Sequence, residues 1–81
     1  MRILVFGPLA RAAGASSILV DVAKGASLAE ARARLTQARP ELASLLAACR
    51  FALNHAFIVD EGMTRPDEGD EVALIGLVSG G

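Results

Sequence analysis

The residues best suited to chemistry in this sequence are its last four, Val78-Ser79-Gly80-Gly81. Chance places two glycines at a chain end about once in 200 sequences, so the pair is a signal to be weighed against what precedes it. Glycine has no Cβ, and a Gly-Gly backbone can thread a narrow channel in another protein at angles closed to other residues. Four extended residues reach at most about 14 Å, enough to enter a recessed site on a partner. A terminal carboxyl, with an ordinary pKa of about 3.3 to 3.7, is ionised at neutral pH and is a poor electrophile. It takes part in acyl transfer only after activation. Attack on the α-phosphate of ATP expels pyrophosphate and leaves an acyl-adenylate, from which a sulfur or amine nucleophile displaces AMP. On the tail alone, a frayed end with two incidental glycines stands as the alternative.

Such a probe needs a firm base. Glu71-Val72-Ala73-Leu74-Ile75 reads as a strand that would hold it, preceded by the dense turn chemistry of Arg65-Pro66-Asp67-Glu68-Gly69-Asp70. At the other end, Ile3-Leu4-Val5-Phe6 is a continuously apolar run closed by Gly7-Pro8, as expected of a strand covered on both faces or awaiting a partner on one. Pro8 suits the first turn of a short helix with Gly14 as its left-handed stop. Ser17 to Val22 reads as a second strand. Ser27-Leu28-Ala29-Glu30 fits a capping box that starts the main helix, with Leu28, Ala31, Leu35 and Ala38 on one face and Glu30, Arg32, Arg34 and Gln37 pointing elsewhere. Arg39-Pro40 ends it, because the residue before proline avoids helical angles. A shorter helix from Pro40 is expected to carry Leu42, Leu45, Leu46 and Cys49. Phe51 to Asn54 and Phe57 to Val59 read as two more strands joined through Asn54-His55. The sequence thus predicts an α+β domain, a sheet of about five strands with its main helix on one face. The first and last strands are apolar at nearly every position, whereas one helix covers one face. An apolar patch near Phe6, Leu74 and Leu77 would then dock a partner beside the tail; cover by the short helices is the alternative.

Composition narrows the function. The 81 residues make one small domain, and of the 53% that are hydrophobic sixteen are alanines, so the core is modest. A single cysteine, Cys49, excludes an intrachain disulfide and reads as a core residue in its apolar row. No apolar run reaches the length of a membrane span, and the cytoplasm is the expected location. A net charge of -1 with no Trp or Tyr argues against nucleic acid. Six of the nine acids, Asp60, Glu61, Asp67, Glu68, Asp70 and Glu71, crowd into twelve residues, read as solvated turns or as a patch facing a basic partner. His55 has neither a paired nucleophile nor further metal ligands in view and reads as a turn residue. No phosphate loop, zinc spacing or base-paired nucleophile is present, so an active site within the chain is not expected.

Together these residues resemble the small subunit of molybdopterin synthase, the MoaD-type sulfur carriers of ubiquitin-like β-grasp fold. The resemblance runs along nearly the whole chain: the Leu4-Val5-Phe6 strand, the Ala13-Gly14 helix end, Leu53-Asn54, the Asp67-Glu68-Gly69-Asp70-Glu71-Val72 turn, and the closing Val78-Ser79-Gly80-Gly81. It implies a mixed sheet packed on one main helix, with a globular part at 1–77 and an extended tail at 78–81. It also implies that a ubiquitin-activating-like adenylyltransferase consumes ATP to adenylate Gly81 and that a sulfur donor protein converts it to a thiocarboxylate. The tail then enters the large synthase subunit and sulfurates a cyclic pyranopterin. Gly81 is the covalent carrier, Gly80 gives clearance, and Ser79 and Val78 are tail contacts; no cofactor or metal is bound, and the catalytic groups belong to partners. Ile75-Gly76-Leu77 stands where many members of that family have an aromatic residue and a proline pair. Carriers for thiamin, cysteine or tRNA thiolation, and protein modifiers, share the same Gly-Gly chemistry. A β-grasp binding module with an inert tail is the alternative of another class.

Overall fold

The computed structural model describes residues 1–76, so Leu77 and the tail at 78–81 lie outside the described residues. Five strands, β1 (Arg2–Val5), β2 (Ser17–Leu19), β3 (Cys49–Leu53), β4 (Ala56–Phe57) and β5 (Val72–Gly76), form one sheet in the order β2-β1-β5-β3-β4. β1 and β5 run parallel at its centre, with Ile3 opposite Val72 and Val5 opposite Leu74, and every other pairing is antiparallel. This is a mixed sheet of β-grasp form. Helix α2 (Leu28–Ala38) stands in sequence between β2 and β3, while α1 (Gly7–Ala13) and α3 (Ala43–Ala47) are short.

The local punctuation follows the sequence. Pro8 lies in the first turn of α1, and Gly14 ends the helix at φ 70° with its N–H donating to the carbonyls of Ala10 and Arg11. At that angle a Cβ would be strained. Ser27 caps α2: its hydroxyl accepts from the Glu30 amide at 3.1 Å, and Glu30 Oε1 accepts from the Ser27 amide at 3.2 Å. The next two free amides of that turn, on Leu28 and Ala29, donate to the carbonyls of Thr64 and Glu61 at 2.9 and 3.2 Å. The first turn of α2 is therefore fully satisfied within the protein and is tied to the loop before β5. Asn54 and His55 both take positive φ, 50° and 72°, the backbone of a tight β3–β4 hairpin turn.

One apolar cluster joins the sheet to all three helices. It contains Ile3 and Val5 of β1, Phe51 of β3, Val72 and Leu74 of β5, Leu28, Ala31 and Leu35 of α2, and Leu9, Leu42 and Leu46 from the short helical segments. The short helices thus pack on the same side of the sheet as α2.

Four expectations are corrected. Strand β2 stops at Leu19, although Val20 still exchanges backbone hydrogen bonds with Met1 at 2.8 Å. Ala38 is exposed, since it lies in the last turn of α2 beyond the edge of the cluster. The segment from Pro40 is a 3-10 turn (Pro40–Leu42) followed by α3, which ends at Ala47, so Cys49 opens β3 and pairs with Gly76. The β3–β4 hairpin sits earlier than read: β4 is Ala56–Phe57, and Ile58 only donates its amide to Phe51 O at 2.9 Å.

Candidate docking face at the base of the tail

Strand β5 lies at the sheet centre, held by β1 on one side and β3 on the other, and its last described residue, Gly76, leads covalently into 77–81. Gly76 pairs regularly with Cys49, and a Cβ added there would meet Cys49 Sγ at 4.0 Å, an ordinary contact. The position is neither a bulge nor a forced close approach.

Registers assign side chains to faces. In β5, Val72 and Leu74 belong to the core cluster, so by strand alternation Ala73 and Ile75 lie on the other face, where Ala73 and its neighbour Ala52 are buried at 6% and 4% exposure and Ile75 is half-buried. Leu4 is level with Ala73 in β1; Ala52 and Arg50 are opposite Ala73 and Ile75 in β3; Phe57 is opposite Ala52; Leu19 is opposite Arg2. These share the face turned away from the helices. By the same alternation Phe6 extends it beside Ile75, at the end where the chain leaves β5. Phe6 and Phe57 are half exposed, and Leu19 is 74% exposed. Arg50 lies over the Phe57 ring at 5.8 Å and, with exposed Arg2, gives the rim positive charge. An apolar centre with an aromatic at the tail end and cations at its border has the composition of a protein-binding surface.

Of the predicted patch, Phe6 is exposed as expected. Leu74 is not: it is 0% exposed beneath α1 and α3, because the register puts it opposite Phe51 and level with Val5 on the core side. Leu77, Val78, Ser79, Gly80 and Gly81 lie outside the described residues. Leu4, Leu19, Phe57 and Ile75 are the face residues that sequence reasoning did not single out. Their signal was present as alternation within apolar runs, but its phase is fixed only by pairing.

The face is backed by a polar clamp at the β3 edge. Arg32 of α2 donates from Nε and Nη2 to the two carboxylate oxygens of Glu61, at 2.9 and 2.7 Å, from Nη1 to Leu46 O at 2.5 Å and from Nη2 to Cys49 O at 2.9 Å. Its guanidinium sits 5.2 Å from the centre of the Phe51 ring. The hydrogen bonds to Glu61 raise its pKa above the ordinary arginine value, against the cost of burial. Burial pushes the Cys49 thiol up, so it stays protonated and inert. The acidic stretch is turn structure: Asp70 accepts from the Asp67 amide and Asn54 Nδ2, which holds its carboxyl below the usual range, and Asp60 accepts from the Met63 amide. His55 is exposed in its turn with Nε2 3.3 Å from Glu71. Among the described residues no cluster of three or more His, Cys, Asp or Glu could hold a metal, and no helix is long and apolar enough to cross a membrane.

A central parallel β1–β5 pair, a helix grasped on one face and an open apolar surface on the other define a ubiquitin-like β-grasp protein. The comparisons narrow this. The profile of the ThiS family matches residues 3–81. The chain is 31% identical over 81 residues to the molybdopterin synthase sulfur carrier subunit of Chlamydomonas reinhardtii, spanning 100% of this chain and 98% of that one. Among solved structures, SAMP1 from Haloferax volcanii aligns with a TM-score of 0.79 at 30% identity, covering 100% of this chain and 98% of that one. A complex of subunits 1 and 2 of the molybdopterin-converting factor of Helicobacter pylori contains a chain that aligns with a TM-score of 0.69 at 28% identity, covering 99% and 96%. The chain belongs to the ThiS family, the ubiquitin-like sulfur carriers of the ThiS/MoaD type.

Proposed function

We propose that this chain is the sulfur carrier subunit of a molybdopterin synthase, working in the cytoplasm with a globular part at 1–77 and a tail at 78–81. A ubiquitin-activating-like adenylyltransferase joins the Gly81 carboxylate to the α-phosphate of ATP and releases pyrophosphate. The outer sulfur of a sulfur donor protein's persulfide then displaces AMP to give an acyl disulfide, and a second thiol cleaves its S–S bond, forming a disulfide with the donor cysteine and releasing the thiocarboxylate. The tail enters the large subunit, where the thiocarboxylate gives its sulfur to a cyclic pyranopterin. Gly80 passes the channel, and Ser79, Val78 and Leu77 line it. The described residues supply the platform: the face of Phe6, Leu4, Phe57 and Ile75 seats the partner while β5 fixes the origin of the tail.

The observation that carries this reading is the place of β5, a central strand whose last described residue lies beside the open apolar face. The full-length likeness to the Chlamydomonas carrier and to a chain of the Helicobacter complex supports the pathway. The test is the intact mass of the full chain before and after incubation with ATP, a cognate activating enzyme and a sulfur donor. Replacement of one oxygen by sulfur, localised by fragmentation to Gly81 and lost when Gly81 is deleted, is expected. Localisation matters because oxidation of Met1, Met63 or Cys49 adds nearly the same mass. An unchanged mass refutes the carrier reading.

The likeness to SAMP1, together with a second Haloferax volcanii structure described as small archaeal modifier protein 1, favours one other reading, a protein modifier. There a lysine amine displaces AMP and forms an isopeptide. Gly81-linked lysines on other proteins, in place of a free thiocarboxylate, would select it.

A further inference from the structure

The two edges of the sheet are finished differently. At the β3 side, β4 covers the hairpin half, and beyond it Arg32 occupies the outward carbonyl of Cys49 at 2.9 Å. At the β2 side, Val5 N donates to Ser16 O, and Met1 and Val20 exchange N–H···O bonds, which sets the alternation: even-numbered residues face β1. Ser17 and Leu19 therefore turn their N–H and C=O groups away from the sheet, and no partner for them is found among the described residues. The β2 edge is an open template.

Beside that edge, on the helix side, runs a groove of about 420 Å³ between β2 and the last turns of α2. Its floor is apolar, made by Ile18, Val20 and Leu35. Ala38, the one member of the α2 stripe left exposed, lies on its wall. The helix rim carries Arg34, which has no ion-pair partner among the described residues, and Arg39, whose pairing with Glu41 at 2.7 Å is exposed; the strand rim carries the single acid Asp21.

We propose that this groove binds an extended segment of a partner protein by strand addition to β2. The occupant is apolar at alternate positions, so that one row of side chains enters the groove, and it carries Asp or Glu at the flank that meets Arg34 and Arg39. Outward N–H and C=O groups supply the backbone pairing, and the groove and its cationic helix rim supply the selection. The site lies on the opposite side of the sheet from the Phe6–Phe57 face and does not depend on the tail chemistry, so both can be occupied at once.

The experiment is an amide NMR titration of the full chain with a synthetic peptide, acetyl-Glu-Glu-Val-Thr-Val-Ser-Val-amide, and with its Lys-Lys-flanked counterpart. Saturable shifts confined to residues 17–21 and 34–39 are expected, with the Lys-flanked peptide about tenfold weaker, as two exposed charge contacts of up to about 0.7 kcal/mol each would give. Arg34→Glu, on an exposed helical position, should remove or reverse that preference. Leu19→Pro deletes an outward N–H without costing a ladder bond and should abolish binding; if that variant misfolds, Arg34→Glu decides. No saturable shift at about 1 mM peptide, shifts centred on Leu4, Phe57 and Ile75 instead, or equal affinity for the two flanks would overturn the proposal. So would concentration-dependent shifts at β2 without peptide, which assign the edge to a second copy of the chain.

Discussion

Replacing Arg32 with methionine keeps the aliphatic stem and removes only the guanidinium, so its cost measures the clamp. The pair with Glu61 is about one-quarter exposed on both sides and contributes about 1 kcal/mol, toward the upper end for accessible pairs. The contact with the Phe51 ring adds about 0.5 kcal/mol. A comparable share is expected from Leu46 O and Cys49 O, which lose charged donors at a helix end and a strand edge and regain only partial hydration, about 0.5 to 1 kcal/mol each. The total is about 3 kcal/mol, or roughly 15 °C in Tm for a domain of this size. Urea unfolding followed by circular dichroism reads it directly. Glu61→Gln removes the charge but leaves both carbonyl bonds and should cost only about 1 kcal/mol. A loss under about 0.5 kcal/mol for Arg32→Met, or equal losses for the two variants, would refute the division of labour assigned here.

Three further outcomes are expected. Ser27→Ala should lower stability by about 1 kcal/mol in the same unfolding assay, because the Glu30 amide loses its acceptor in a buried cap. Leu74→Ala should cost about 2 to 5 kcal/mol as a core cavity, whereas Phe6→Ser should change stability by under about 0.5 kcal/mol and weaken capture of the large subunit in a pull-down; the reverse pattern would invert the assignment of faces. Asp70 and Cys49 give opposite pH limbs. The Asp70 carboxyl is depressed, so its contribution is present above about pH 3.9 and is lost as pH falls through the lower folded value, and Asp70→Asn should flatten the acid limb. The Cys49 thiol is raised, so unfolded chains release its proton first and stability falls as pH climbs past about 8.5, a slope that Cys49→Ala should remove; iodoacetamide labelling of Cys49 at neutral pH should track unfolding.

Local signals carried most of the architecture. The left-handed Gly14, the Ser27–Glu30 box, the Arg39-Pro40 stop and the Asn54-His55 turn each act within a few residues, and each stands where the sequence puts it. What was illegible depends on pairing across the fold. Val72-Ala73-Leu74-Ile75 is apolar throughout, and only the opposition of Leu74 to Phe51 tells which half of it is core. Arg32 read only as pointing away from the apolar face of its helix, because its partners are 14, 17 and 29 positions away. Ala38 fits the helical period, yet it lies in the last turn of α2, beyond the end of the cluster. The chemistry proposed for Gly81 rests on the residue types of the tail, whereas the surface beside β5 was readable only after the strands were in register.

The parallel β1–β5 pair also has a kinetic meaning. The two strands at the centre of the sheet lie at opposite ends of the described chain, so the middle of the sheet forms only by closing a loop that contains nearly everything else. During synthesis, β1 and β2 can pair early, but the other edge of β1 stays unpaired until β5 emerges. Such topology slows the search for the native state. A nascent chain lacking β5 would leave β1 and β3 unpaired and take Val72 and Leu74 from beside Ile3, Val5 and Phe51, a state open to chaperones and proteases. The arrival of the strand that leads into the tail would then be the event that closes the domain.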